Sequence, residues 1–228
     1  MQVWSDFMDL IFPSACLACG DKILHKNDFI CFKCKNQLPF TNHFQIQDNE
    51  LQRRLSPLFD LERAASLIYF ESESTVQKLI HQFKYHHKKE LAYQMGFLIG
   101  SRLNNEPWVD EIEYLVPVPL HPDKLKKRGY NQSYYLAKGI SECTKIPILS
   151  DAIFRRQNKQ SQTSKSKEER MASVAQNFEW DYSKLENLNS FALIDDVITS
   201  GATASACINS LPETNRPDVY FISLAIDK

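Results

Sequence analysis

The run Phe191-Ala192-Leu193-Ile194, followed by Asp195-Asp196 and then by Thr199-Ser200-Gly201-Ala202-Thr203, constrains this chain more than any other stretch. An uninterrupted apolar run marks a strand covered on both faces, which is the condition of a parallel sheet layered between helices. The two acids then fall where the strand's carboxyl end meets solvent, the edge at which open α/β sheets bind ligands. Residues 204–208 suit a helix, so free N–H groups and the helix dipole converge on residues 199–203, and an anion belongs there. Gly201 removes a Cβ that would obstruct a phosphate, while Thr199, Ser200 and Thr203 offer hydroxyl donors. Ionised carboxylates only accept hydrogen bonds, so Asp195 and Asp196 need donors, and vicinal sugar hydroxyls supply two. A ribose 5-phosphate satisfies both halves of the motif. A plain capped strand-to-helix turn accounts for the loop but leaves two adjacent acids without a purpose. A Walker B strand is the competing motif, and it fails because the chain holds no P-loop lysine motif.

Four of the six cysteines are clustered, in Cys16-Leu17-Ala18-Cys19 and Cys31-Phe32-Lys33-Cys34, with eleven residues between the pairs. Each C-x2-C turn aims two thiolates at one point, and the spacing lets the second pair close a tetrahedron around one structural Zn²⁺ per chain. Lys33 and Lys35 offset the negative charge of a zinc tetrathiolate. A redox pair or two disulfides are the alternatives, and in a chain with no export signal zinc is favoured over both. Asp6 and Asp9 stand where a basic leader region would, and no window approaches ~20 apolar residues, so a cytoplasmic location without membrane insertion is expected. The net charge of −1 exerts no global pull toward nucleic acid or membrane, so local patches must carry any such case.

A chain of 228 residues accommodates one α/β core and a small module. Trp4, Phe7, Met8, Leu10 and Ile11 share a helical face that Pro13 ends, and residues 36–62 read as the module's tail and a linker. The division is therefore expected near Leu61, into a zinc-ribbon module over 1–61 and an α/β domain over 62–228. A strand at 65–70 precedes a helix opened by Ser74-Thr75, whose end brings Lys84 toward any anionic ligand; a second helix runs to about Arg102. A strand within 113–120 ends in prolines, and the loop beyond it holds Leu120, His121, Lys124, Lys126, Lys127, Arg128 and Gly129 before a helix from Tyr130. That basic loop is either a solvated turn or a site for a second anion such as pyrophosphate. Short strands follow near 146–149, 152–154, 177–180 and 219–226. Residues 155–170 are almost devoid of apolar side chains, as befits either a lid over a charged ligand or simple disorder.

The acidic strand and its Thr/Ser-Gly-x-Thr loop resemble the phosphoribosyl pyrophosphate (PRPP) motif of type I phosphoribosyltransferases. Together with the two cysteine pairs, Val116-Pro117-Val118-Pro119-Leu120 and Arg128-Gly129-Tyr130-Asn131-Gln132, the order of motifs is similar to the ComF family over nearly the whole chain. That resemblance implies a phosphoribosyltransferase-like parallel sheet flanked by helices, an N-terminal double zinc ribbon and a link to DNA uptake in competence. It further implies that Asp195 and Asp196 hold the ribose and that Thr199, Ser200, Gly201, Ala202 and Thr203 hold the 5-phosphate. Leu120, His121, Lys124, Arg128 and Gly129 would hold pyrophosphate, and Arg155, Gln162 and Arg170 would belong to a lid. The chain departs from the family's pattern at Lys165, at Ser173 and at Tyr85-His86, where a glycine is usual. The reaction so implied is Mg²⁺-dependent phosphoribosyl transfer from PRPP, or a related ribose phosphate, to an acceptor the sequence does not name. An adaptor that binds single-stranded DNA or DNA-uptake proteins is the alternative, and the basic segments permit it.

Overall fold

The computed structural model describes residues 15–23, 28–155, 178–186 and 188–228. The expected N-terminal helix with Pro13, the lid residues Gln162 and Arg170, and the departures at Lys165 and Ser173 lie outside the described residues.

The fold is α/β. Its sheet has four strands, β1 (Arg63–Phe70), β2 (Tyr114–Pro117), β5 (Ser190–Ile198) and β6 (Asp218–Asp227), in the order β1-β6-β5-β2 with every neighbouring pair parallel. A separate antiparallel pair joins β3 (Ile153–Arg155) to β4 (Phe178–Trp180). The stretch expected as a strand near 146–149 makes a single parallel bridge, Ile148 to Leu115. The helices are α1 (Phe32–Asn36), α2 (Glu50–Leu55), α3 (Thr75–Tyr85), α4 (Lys89–Leu103), α5 (Pro122–Arg128), α6 (Gln132–Thr144), α7 (Tyr182–Leu185) and α8 (Ala202–Asn209).

The apolar run that announced β5 is buried on both faces. Ala192 and Ile194 join a core with Leu79, Leu91, Ile99, Leu136 and Ile140 of α3, α4 and α6. Phe191 and Leu193 join a second core with Leu51 and Leu55 of α2, the β3–β4 pair, and Cys207 and Ile208 of α8. Period-two alternation along a strand splits its side chains between two layers in this way. Helices α4 and α6 cross with backbones touching, because a Cβ on Gly139 would lie 2.1 Å from the Tyr93 carbonyl oxygen.

The reading of residues 36–62 as tail and linker is corrected. Phe40 bridges Ile68, Thr41 N donates to the Leu67 carbonyl (3.0 Å), and Tyr69 N donates to the Pro39 carbonyl (2.8 Å), so this stretch covers the open edge of β1. Asn49 then caps α2 by accepting from Leu51 N and Gln52 N at 3.0 Å each, and Leu51 and Leu55 are fully buried. The segment's polar composition hid this, because its few apolar residues are divided between the two core layers, Leu38 and Phe44 on one side and Leu51, Leu55 and Phe59 on the other.

A second correction concerns residues 122–128, expected as an open loop. They form α5, started by Pro122 and closed by Gly129 in the left-handed region at φ +78°. Helix α6 begins two residues later than expected, after Asn131 accepts a cap bond from Ser133 N (3.1 Å).

Candidate functional site

Because all four strands of the sheet point the same way, the turns after β1, β2 and β5 gather at one edge. Asp195 and Asp196 lie near the carboxyl end of β5, which runs two residues further, to Ile198. Asp195 lines a cavity of about 50 Å³ together with Val197, Ile198, Thr199, Ser200, Gly201, Ala202, Thr203 and Ala204. The expected phosphate loop and one of the two acids thus share a pocket.

The loop is built to leave N–H groups free. Gly201 precedes α8 at φ +79° and supplies no side-chain cap, so the Thr203 and Ala204 N–H groups have no acceptor among the described residues. Ser200 Oγ approaches Ala202 N at only 3.4 Å. Free amides at a helix start are the ready partners of an oxyanion. The reason given above for Gly201 needs amending: a Cβ there would meet Leu55 Cδ2 at 2.7 Å and Leu58 Cδ1 at 2.9 Å, so it would collide with α2 and its turn and not with a ligand.

The two acids differ. Asp195 is half-buried by surface area and lines the cavity. Its Oδ1 accepts from Asp196 N (2.8 Å) and from Ser133 Oγ (3.2 Å). Burial, then the neighbouring Asp196 carboxylate, pushes its carboxyl up to about 7. Asp196 is 5% exposed, accepts from Val197 N at 2.7 Å, and pairs with Lys84 Nζ of α3 at 2.8 Å. Its Oδ2 takes no other donor among the described residues, so the ion pair alone compensates it. Lys84 therefore reaches the site, as expected, but spends its charge on an acid.

The segment Arg128-Gly129-Tyr130-Asn131-Gln132 proves to be a set of tethers. Arg128 stacks over the Tyr85 ring (5.4 Å) and donates to Gln132 Oε1 (2.9 Å). The Tyr130 hydroxyl donates to the Phe83 carbonyl, and Asn131 Nδ2 donates to the Val118 carbonyl (3.0 Å). His121 caps α5, its Nδ1 accepting from Asp123 N (3.3 Å). Leu120 is half-buried, whereas Lys124, Lys126 and Lys127 are exposed and free of ion pairs among the described residues. Arg155, on β3, lies over the Phe178 ring (5.2 Å) and within electrostatic reach of Asp195. Ser133 was missed by sequence reasoning, and a serine two residues after a cap carries no signal that would have found it.

The four clustered thiols converge as their spacing predicted. The Sγ atoms of Cys16, Cys19, Cys31 and Cys34 all lie within 4.8 Å of one another, and Cys19 and Cys31 are 3.8 Å apart. Zn–S bonds of ~2.3 Å in a tetrahedron put sulfurs roughly 3.8 Å apart, so the set fits one zinc. Cys31 N donates to Cys16 Sγ (3.3 Å), Asp21 N to Cys19 Sγ (3.5 Å) and Cys34 N to Cys31 Sγ (3.5 Å). The four thiols are not alike, since burial and the neighbouring sulfurs push Cys34 up. Burial opposes ionisation of Cys16, yet backbone donation outweighs it and brings that thiol down to about 6.

The chain is 27% identical over 204 residues to competence protein ComFC of Bacillus subtilis (strain 168), a match that spans 88% of this chain and 79% of that protein. It is 29% identical over 223 residues to competence protein F of Haemophilus influenzae, spanning 94% of this chain and 97% of that one. No family model matches the chain. These two likenesses and the four-cysteine cluster bear out the resemblance to the ComF family. No helix among the described residues is long and apolar enough to cross a membrane.

Proposed function

We propose that the carboxyl edge of the sheet binds PRPP, or a related ribose phosphate, and that the protein transfers its phosphoribosyl group. The observation that carries this reading is the shared cavity of Asp195 with an uncapped helix start at residues 199–204. The loop amides and the hydroxyls of Thr199, Ser200 and Thr203 take the 5-phosphate, and the Asp195 carboxylate accepts from a ribose hydroxyl. Asp196 holds Lys84, so it orients the edge of the site until ligand binding redistributes that pair. In the transfer, the bond from ribose C1 to the pyrophosphate oxygen breaks with its electron pair going to pyrophosphate. A bond from C1 to a nitrogen of the acceptor forms, and that nitrogen gives up a proton. Pyrophosphate as leaving group requires neutralisation, which Mg²⁺ with oxygen ligands supplies. Leu120, His121, Lys124, Arg128 and Gly129 would take the departing pyrophosphate, and Arg155, within electrostatic reach of Asp195, would belong to the lid. Calorimetric titration with PRPP, with and without Mg²⁺, tests the reading.

The names of the two relatives support a link to competence and DNA uptake, and the proposal places the protein in the cytoplasm, a compartment that keeps four thiols reduced. A second reading rests on Lys124, Lys126 and Lys127, exposed together on α5: a DNA- or partner-binding adaptor. Affinity for single-stranded DNA that falls steeply with salt, with a shallower slope after all three become Ala, would favour it. Absence of binding at low salt would remove it.

A further inference from the structure

Helix α2 and the turn after it lie behind the loop at residues 199–203 and meet it at two points, and a third bond ties that turn to α8. Arg54 Nη1 donates to the Thr199 carbonyl (3.1 Å) and to the Asp227 carbonyl at the end of β6 (2.8 Å). Leu55 and Leu58 fill the space into which a Cβ on Gly201 would project. Asn209 Nδ2, at the far end of α8, donates to the Leu58 carbonyl (3.3 Å). An anion-binding turn must present N–H groups and keep its carbonyls engaged elsewhere, since an inward carbonyl dipole would repel the ligand. The Thr199 carbonyl is engaged by Arg54. A guanidinium suits the task because its donors are fixed in a planar fork that can span two elements.

We propose that α2 clamps this loop in its anion-binding form, with Arg54 as the positioning residue. The inference rests on the ribose-phosphate reading of the loop and adds to it a residue from the segment read as a linker. No residue of α2 lines the cavity, so Arg54 acts through Thr199 and not as a ligand. The clamp joins residues 145 positions apart in the chain, so no local pattern could have indicated it.

The test uses the full-length, zinc-loaded protein and three variants. Arg54→Met keeps the apolar stem and removes the donors, and Arg54→Lys restores a cation. Gln52→Ala is the control on the same helix: it loses the bonds to Ala64 N (2.7 Å) and the Glu62 carbonyl (3.2 Å) without touching the loop. Amide hydrogen exchange on ligand-free protein and titration with ribose 5-phosphate are both measured. Arg54→Met should speed exchange over residues 199–205 and weaken ribose 5-phosphate, each by roughly tenfold, as loss of a charge-assisted hydrogen bond implies. Arg54→Lys should recover part of both, and Gln52→Ala should change neither. Loop exchange unaltered in Arg54→Met, or raised equally by Gln52→Ala, overturns the clamp; so does a freed loop with unchanged affinity. Should the wild-type protein take up no ribose 5-phosphate while Arg54→Met still frees the loop, the ribose-phosphate reading falls and the mechanical clamp stands.

Discussion

Lys84 Nζ lies 2.8 Å from Asp196 Oδ2, in a pair whose side chains are 19% and 7% exposed. An ion pair so placed is held in geometry by helix α3 and strand β5, and removing one partner strands a buried charge. Lys84→Met should therefore destabilise the fold by about 3 kcal/mol, as breaking buried pairs does elsewhere. Lys84→Met with Asp196→Asn should regain much of that loss, because no charge is then left unpaired. Urea unfolding of the two single variants and the double variant measures the coupling; additive losses would show that the pair is not a unit.

The pH dependence follows from Asp195. Its folded-state pKa is raised to about 7, so between the ordinary carboxylate range and pH 7 the folded protein holds a proton that the unfolded chain has released. Stability from this group is thus fullest below about pH 4 and falls as pH rises to about 7. Asp195→Asn should flatten that fall in a series of unfolding curves. Ribose binding by an ionised Asp195 has the opposite trend and should strengthen from pH 6 to pH 8. Affinity that declines over this interval would show that the protonated acid is the binding form.

One zinc should co-purify per chain, held by Cys16, Cys19, Cys31 and Cys34. Cys31→Ser removes one ligand and the Sγ that accepts from Cys34 N, so metal loss and proteolysis of the cysteine turns are expected. Cuts should fall before Leu38, because residues 39–41 pair with β1 and the following α2 is buried at Leu51 and Leu55. Against the proposed division at Leu61, the cysteine turns, although Cys16, Ile30 and Cys34 pack into the same core as α4, are expected to open first on metal loss, while residues 38–61 stay with the sheet. Protease sites spread evenly to residue 61 would restore the linker.

The features legible in the sequence were those written in consecutive residues. An apolar run gave β5 because a strand in the middle of a parallel sheet must be buried on both faces, and two C-x2-C turns gave the thiol cluster because turn geometry alone aims them. Ser74 was recognisable as the start of α3 since its hydroxyl accepts from Gln77 N (3.2 Å), a local bond. The asymmetry between Asp195 and Asp196 was not legible, because it depends on Lys84 and Ser133 reaching them from two helices. The basic stretch after β2 looked like a loop by composition; Pro122 and Gly129 bound a short helix whose stability comes from tertiary contacts. Arg128 carried the expectation of a phosphate ligand, and its stacking on Tyr85 could be seen only once α3 and α5 were placed together.

Replacing Gly201 by Ala separates the loop's conformation from its chemistry. An L-residue at φ +79° costs about 1–2 kcal/mol, and its methyl would also press on Leu55 and Leu58. The variant should remain folded, lose that much stability and bind ribose 5-phosphate more weakly than wild type. Full affinity with lowered stability would show that the glycine serves packing alone.

The decisive measurement is a calorimetric titration of the full-length protein with PRPP in Mg²⁺, beside the same titration of Asp195→Asn. The variant keeps the shape of the side chain and removes the ionised acceptor that shares the cavity with residues 199–204. Wild type should bind, and Asp195→Asn should bind at least roughly tenfold more weakly, the loss expected for one hydrogen bond to a charged group. A wild-type protein that gives no binding, or an Asp195→Asn variant that titrates like it, would contradict the assignment of this edge as a ribose-phosphate site.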